Sequence, residues 1–155
     1  MDKAIVTTSW DDGYPSDLRL AELLNRYNIP ATFYIPISND ERARMSPQQI
    51  NEIAHVFDIG GHSYHHVNLT RIPSTEVSRE IIDGKKMLED IIGKKVSSFA
   101  YPWGAFNRRV INCVRKADFI GGRTTRSLTR IVDEPFAMNP TVNDTNWWFA
   151  PYVKH

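Results

Sequence analysis

Segments typical of strands alternate with segments typical of helices along most of this 155-residue chain. Runs rich in β-branched and aromatic residues favour strands at residues 4–10, 31–35, 56–59, 96–101 and 119–121. An amphipathic stretch that favours a helix separates each run from the next. Repeated β-α units predict parallel strands joined by crossover helices, because tight hairpins can join only antiparallel strands. The chain is therefore expected to adopt an α/β fold.

The β-α pattern ends near residue 130, and prolines punctuate the tail that follows. A chain of this length favours one domain. We therefore expect a core over residues 1–130 and an irregular tail of the same domain over residues 131–155.

Several helix ends carry recognisable signals. Ser46 before Pro47 is typical of an N-cap followed by the first helical residue. Gly93 is expected to end a long helix over residues 74–92, and Asn107 is expected to cap the next one. Ser16 is expected to cap the first helix, with four residues on its buried face: Leu20, Leu23, Leu24 and Tyr27.

Two adjacent carboxylates, Asp11 and Asp12, follow the first strand and precede Gly13. In parallel sheets and barrels, sites form just beyond the carboxyl ends of the strands. Neighbouring carboxylates point in different directions, so one can bind a cation while the other stays free as a base. Asp and Gly are also ordinary turn residues, so a plain turn is the alternative.

Two histidines, His62 and His66, follow the third strand four residues apart. This spacing would place both rings on one face if the segment were helical. Such a pair commonly binds zinc or a similar divalent metal, and two His with one Asp leave coordination positions open for water and substrate. His65 would face another way and is interpreted as a bystander or a supporting group. The alternative is a run of ordinary surface or capping histidines.

Three motifs together resemble the polysaccharide deacetylase family, also called the NodB-homology family or carbohydrate esterase family four. Ser-Trp-Asp-Asp-Gly at 9–13 resembles the family's T-F-D-D-G, and His-Ser-Tyr-His-His at 62–66, followed by Leu69, resembles H-[ST]-x-x-H. Ala-Tyr-Pro-Trp-Gly at 100–104 loosely resembles R-P-P-Y-G. The resemblance spans roughly residues 4–125.

The resemblance implies a distorted β/α barrel. This chain supplies fewer strands than the family's barrel, so a partial barrel is expected. An open sheet edge could be covered by a second copy of the chain, which predicts a homodimer.

The resemblance also implies a chemistry and its residues. Asp12, His62 and His66 would hold a divalent metal, Zn²⁺ as first choice with Co²⁺ or Ni²⁺ as alternatives. Asp11 would be the catalytic base, and the backbone N–H of Trp103 would help to hold the oxyanion. Three residues would wall the sugar-binding groove: Tyr101, Pro102 and Trp103. The expected reaction is hydrolysis of N-acetyl groups on a GlcNAc-type polysaccharide or related glycoconjugate.

Two departures from the family pattern favour an alternative function. Ala100 stands where the family often has an arginine that orients the catalytic Asp, and Arg123 is the candidate to replace it. The family's late Leu-x-His motif, whose His is the general acid, is resembled only by Val-Lys-His at 153–155, ending at His155. The alternative is a truncated, weakly active or inactive relative that binds metal or carbohydrate.

Composition excludes other classes of function. The net charge is only +1 and no Lys/Arg run stands out, which argues against nucleic acid as a partner. No apolar run reaches membrane-spanning length. The sequence shows no signal peptide, so a cytoplasmic location is expected as given, or export if a leader was removed.

Overall fold

Five parallel strands form one sheet, in the order in which they occur along the chain. The computed structural model describes residues 7–126 and 134–140. The strands are β1 (Thr8–Asp11), β2 (Ala31–Ile35), β3 (Asp58–Gly61), β4 (Ser98–Ala100) and β5 (Gly121–Arg123). The helices are α1 (Asp17–Arg26), α2 (Pro47–Ala54), α3 (Ser74–Ile92) and α4 (Arg108–Lys116), with short 3₁₀ turns at Pro102–Gly104 and Pro135–Ala137.

The sheet curls into a half-barrel with its helices outside, as predicted for an α/β partial barrel. Each strand pairs in parallel with the next one in the chain. Because a helix crosses over between successive strands, all carboxyl ends lie at the same edge of the sheet. The loops that follow β1, β3 and β4 therefore meet at one mouth.

The core lies between the sheet and the inner faces of the helices. Phe33, Ile35 and Phe99 from the strands are fully or almost fully buried there. The helices contribute buried apolar residues at helical spacing: Ile50, Ile53, Val77, Ile81, Leu88, Ile92, Val110 and Val114. This shared burial holds the strand ends, and hence the mouth, in place.

Three of the predicted helix ends are confirmed. Ser46 forms a capping box with Gln49 at the start of α2, and the Asn107 side chain accepts a hydrogen bond from the backbone N–H of Val110. Gly93 ends α3 in the left-handed conformation. Each arrangement satisfies backbone groups that a helix end would otherwise leave unpaired.

The prediction for the first helix is wrong in part. Leu23 and Tyr27 are exposed, whereas Ala21 and Leu24 are buried. Ser16 precedes α1, but its side chain makes no capping hydrogen bond. The buried face is thus rotated from the predicted one, with Ala21 and Leu24 in the core and Leu20 partly buried against it.

Strand β3 begins two residues later than predicted and ends in two glycines. β3 runs to Gly61, and a Cβ on Gly60 would lie 2.3 Å from ring atoms of Tyr34 on the neighbouring strand. Only glycine leaves room for that ring, so a residue that normally weakens a strand is required in this one.

The described part of the tail packs against the sheet. Phe136 is buried, and Met138 forms a parallel bridge with Arg123 at the end of β5. Residues 4–6 of the predicted first strand, and His155, lie outside the described residues. None of the helices in residues 7–126 and 134–140 is both long and apolar enough to cross a membrane.

Candidate active site

Asp12, His62 and His66 converge at the mouth of the half-barrel. Asp12 Oδ1 lies 3.0 Å from His66 Nε2 and 3.4 Å from His62 Nε2. One ligand atom from each of the three residues lies within 4.8 Å of the other two. The loops after β1 and β3 therefore bring together the three residues that the sequence marks as metal ligands.

The histidines meet through a loop and not on a helix, which corrects the helical geometry considered above. Residues 62–68 have no regular secondary structure. Ser63 and His66 both have left-handed backbones, with φ of 63° and 56°. A helix would require negative φ at each position. The rings meet because two left-handed residues turn the loop back on itself.

The tautomer of His62 follows from its surroundings. His62 is 2% exposed, and its Nδ1 lies 2.8 Å from the carbonyl oxygen of Ala100. A carbonyl can only accept, so Nδ1 carries the proton and the lone pair of the neutral ring is on Nε2. Nε2 is the atom that faces Asp12. This backbone hydrogen bond is the usual way to orient a metal-ligating histidine.

Asp12 is oriented by a chain of two hydrogen bonds. The Tyr14 hydroxyl donates to Asp12 Oδ2 at 2.6 Å, and Arg42 Nη1 donates to the Tyr14 oxygen at 2.8 Å. With Oδ2 held by Tyr14, Oδ1 points at the histidines.

The chemistry of these donors fits a divalent metal ion. One carboxylate oxygen and two imidazole nitrogens face each other, and each can offer a lone pair to the same point. A cation between them removes the repulsion between those lone pairs. Two nitrogens and one oxygen suit Zn²⁺ and leave coordination positions for water and substrate.

Asp11 forms an ion pair with Arg123. Arg123 Nη2 donates to Asp11 Oδ1, and the guanidinium lies 5.1 Å from the centroid of the Tyr34 ring. The Arg123 side chain is mostly buried, so solvent screens this pair weakly. Arg123 thus contacts the residue that the family's arginine, replaced here by Ala100, would be expected to orient.

The third motif divides between surface and core. Trp103 is 62% exposed, and its indole Nε1 donates to the carbonyl oxygen of His66 at 3.3 Å. Tyr101 is 1% exposed and its hydroxyl donates to the Phe136 carbonyl oxygen at 2.8 Å. Pro102 is also buried. Tyr101 and Pro102 are thus buried, and Trp103 is the residue of the three that offers a free face. That the three wall a sugar-binding groove stays a prediction.

Sequence reasoning missed three residues that support the site. Tyr14 lies only two positions after Asp12, and a hydroxyl at that distance could have been noticed. Arg42 lies in the loop before α2, and Glu80 on α3 contacts the histidine loop. Neither belongs to a motif, so no local signal marks them. His155, the residue that resembles the family's general acid in position, lies outside the described residues.

Comparison with known proteins gives the site a context. The family model described as "Polysaccharide deacetylase" matches residues 1–121. The chain is 26% identical over 120 residues to a peptidoglycan-N-acetylglucosamine deacetylase of Bacillus cereus, covering 76% of this chain and 43% of that protein. It is 34% identical over 113 residues to a chitooligosaccharide deacetylase of Azorhizobium caulinodans, covering 70% of this chain and 52% of that protein. The chain thus spans about half the length of these curated relatives.

The fold also matches a solved structure. The deacetylase PplD of Streptococcus pyogenes, crystallised with acetate, superposes with a TM-score of 0.80 at 20% identity. The match covers 89% of this chain and 64% of that one. A match at this identity supports the half-barrel fold.

Proposed function

Because this chain belongs to the polysaccharide deacetylase family, we propose that it hydrolyses N-acetyl groups of a GlcNAc-type polysaccharide or related glycoconjugate in a metal-dependent reaction. The observation that carries the proposal is the convergence of Asp12, His62 and His66 on one point, next in sequence to the paired Asp11. The two curated relatives described above, named as a peptidoglycan-N-acetylglucosamine deacetylase and a chitooligosaccharide deacetylase, support this class of substrate.

Asp12, His62 and His66 would hold the metal, Zn²⁺ as first choice with Co²⁺ or Ni²⁺ as alternatives. When bound, such an ion acidifies a water molecule and polarises a carbonyl. The protein contributes orientation. Ala100 fixes the ring of His62 and Tyr14 fixes the carboxylate of Asp12, so the three donors need little rearrangement to receive the ion.

Asp11 would be the base that takes the proton of the attacking water. Arg123 holds Oδ1 of Asp11, which leaves Oδ2 for the water. An aspartate that bound only metal would not need this separate partner.

The bonds change in the order usual for amide hydrolysis. The water oxygen bonds to the acetyl carbon, the C–N bond then breaks, and the proton passes to the leaving amine. The products are acetate and a free amine. The backbone N–H of Trp103 would help to hold the oxyanion, and its exposed indole would stack on the apolar face of the sugar. The residue that delivers this proton to the amine is left open, and His155 is the residue whose position resembles that of the family's general acid.

The proposal is tested by acetate release. The Zn²⁺-loaded protein would be incubated with N-acetylated chitooligosaccharides and with peptidoglycan, and acetate would be measured beside the deacetylated glycan. Asp11→Asn provides the blank, because it removes the base and keeps the fold. Acetate release by the wild type above this blank supports the proposal, and release equal to the blank on every glycan contradicts it.

A second candidate is a relative that binds metal or carbohydrate with little turnover. The absence of the family's arginine at position 100 favours it. This candidate predicts Zn²⁺ binding without acetate release. The proposed homodimer, in which a second copy covers an open sheet edge, is tested separately by solution scattering, where a monomer would contradict it.

A further inference from the structure

The loop that carries both histidines is fastened to α3 by one carboxylate. Glu80 Oε2 accepts hydrogen bonds from the backbone N–H groups of Tyr64 at 3.1 Å and of His65 at 2.8 Å. Glu80 Oε1 lies 2.6 Å from His65 Nδ1. Three contacts therefore converge on one side chain, and all of them reach the segment between His62 and His66.

The same loop lies directly against α3 one helical turn later, at Gly84. A Cβ on Gly84 would be 2.9 Å from the carbonyl carbon of Ser63 and 3.0 Å from the backbone nitrogen of Tyr64. Residues four apart on a helix lie on the same face. Glu80 and Gly84 thus form one surface, on which Gly84 lets the loop approach and Glu80 holds it.

The loop conformation is one that needs holding. Ser63 and His66 both have left-handed backbones, which are unfavourable for residues with a side chain. Both left-handed turns are required to bring the two rings to Asp12. A free loop would spend much of its time in other conformations, and a metal ion would then have to supply the free energy that orders it.

We propose that Glu80 and Gly84 preorganise the metal site, and that Glu80 is a positioning residue whose hydrogen bonds set the metal affinity of Asp12, His62 and His66. The inference rests on the metal binding in the proposed function. His65, interpreted from sequence as a bystander or supporting group, contributes its backbone N–H and its ring Nδ1 to the contacts with Glu80. Loss of an outer partner of a metal ligand commonly lowers metal affinity by about 10–100-fold.

Single substitutions separate the contributions of Glu80 and Gly84. Glu80→Ala removes all three contacts and should lower Zn²⁺ affinity by about 10–100-fold. Glu80→Gln should keep most of the affinity, because both backbone N–H groups bind one oxygen and an amide oxygen can accept both. Gly84→Ala keeps Glu80 but displaces the loop, so it should also weaken binding. Asp83→Ala, at an exposed position of the same helix, is the matched control.

Two readouts test the inference. Zn²⁺ affinity is measured by competition with a chelator, and amide hydrogen exchange at Tyr64 and His65 is measured in metal-free protein. Glu80→Ala should weaken Zn²⁺ binding and speed exchange at these two amides, while the amides of α3 exchange as in wild type. The proposal is overturned if Glu80→Ala binds Zn²⁺ as tightly as Asp83→Ala, or if Glu80→Gln is no better than Glu80→Ala.

The outcomes also separate this inference from the proposed function. If Glu80→Ala does not fold, Glu80→Gln and Gly84→Ala still decide, because Gly84→Ala binding Zn²⁺ like wild type would contradict the proposal. If the wild type binds no metal, the metal-dependent function fails. The role of Glu80 in ordering the histidine loop is then tested by amide hydrogen exchange in metal-free protein. Unchanged protection of the Tyr64 and His65 amides in Glu80→Ala would overturn it.

Discussion

Arg123, which ends β5, donates a hydrogen bond to Asp11, which ends β1. These are the first and last strands of the five-stranded sheet. Their side chains can meet only because the sheet curls until its two sides face each other across the mouth. The pair therefore links the first and last strands of the half-barrel and holds the side chain of Asp11, the proposed base, at the mouth.

Removal of the guanidinium should lower turnover without weakening metal binding. Arg123→Ala frees Asp11 to rotate, so kcat should fall by about 10–100-fold while KM and Zn²⁺ affinity change little. Arg123→Lys should be intermediate, because it keeps the charge and loses the planar fork. Guanidinium ion added to Arg123→Ala should restore part of the rate. Arg19→Ala, on the exposed side of α1, is the control, and an unchanged kcat in Arg123→Ala would remove this role.

Asp11 itself should be dispensable for metal binding and essential for turnover. Asp11→Asn keeps the shape of the side chain and removes its ability to take a proton, so the rate should fall by about 10²–10⁴-fold. Calorimetric titration should show wild-type Zn²⁺ affinity. Asp58→Asn, at the exposed start of β3, is the control. Loss of Zn²⁺ binding in Asp11→Asn would instead assign Asp11 to the metal.

The cluster of Asp12, His62 and His66 could be predicted from sequence because its signal is local. Asp12 follows a strand directly, and His62 and His66 are close together in the sequence and few other histidines exist. The loop that joins them could not be predicted, since a spacing of four residues suits a helix and a folded-back loop equally. The contacts of Glu80 and Gly84 favour the folded-back loop. Both residues lie on α3, which begins after the histidine motif has ended.

Other features of the site depend on partners that are distant in the sequence. Tyr101 is an aromatic residue of the kind that lines sugar-binding sites, but its hydroxyl donates a hydrogen bond to the carbonyl oxygen of Phe136, 35 residues later, and this contact is buried. Gly60 argues against a strand until the Tyr34 ring beside it is known. The sequence indicates Arg123 only through the role that Ala100 leaves vacant. In each case the deciding contact is made in three dimensions and leaves no pattern in the chain.

One tight Zn²⁺ site is expected, and it should depend on His66. Calorimetric titration of metal-stripped wild type should show a single site that His66→Ala abolishes, because two remaining ligands bind weakly. His55→Ala is the matched control, since His55 is exposed at the end of α2 and away from the cluster. A wild type that binds no Zn²⁺ would contradict the metal-dependent mechanism, and tight binding in His66→Ala would move the site elsewhere.

Asp17 should make stability depend on pH in an unusual direction. It is only 8% exposed, and its Oδ2 has no hydrogen-bond partner in the described part of the chain. Burial, with smaller contributions from nearby Asp12 and Asp11, raises the pKa of its carboxyl to about 6. Its unfolded value is about 3.9, so between these values the folded state binds more protons. Stability from this residue is therefore present below about pH 4 and is lost as the pH rises to about 6.

Asp17→Asn should remove this loss, because an amide is neutral at every pH and can still accept from the backbone N–H of Tyr14. In urea titrations of metal-free protein, the free energy of unfolding of the variant should exceed that of wild type by about 1–3 kcal/mol at pH 8. At pH 4 the two free energies of unfolding should be nearly equal. The exposed Asp83→Asn should show no such difference. An Asp17→Asn gain that is the same at both values of pH would show that the ionised carboxylate is not the cause.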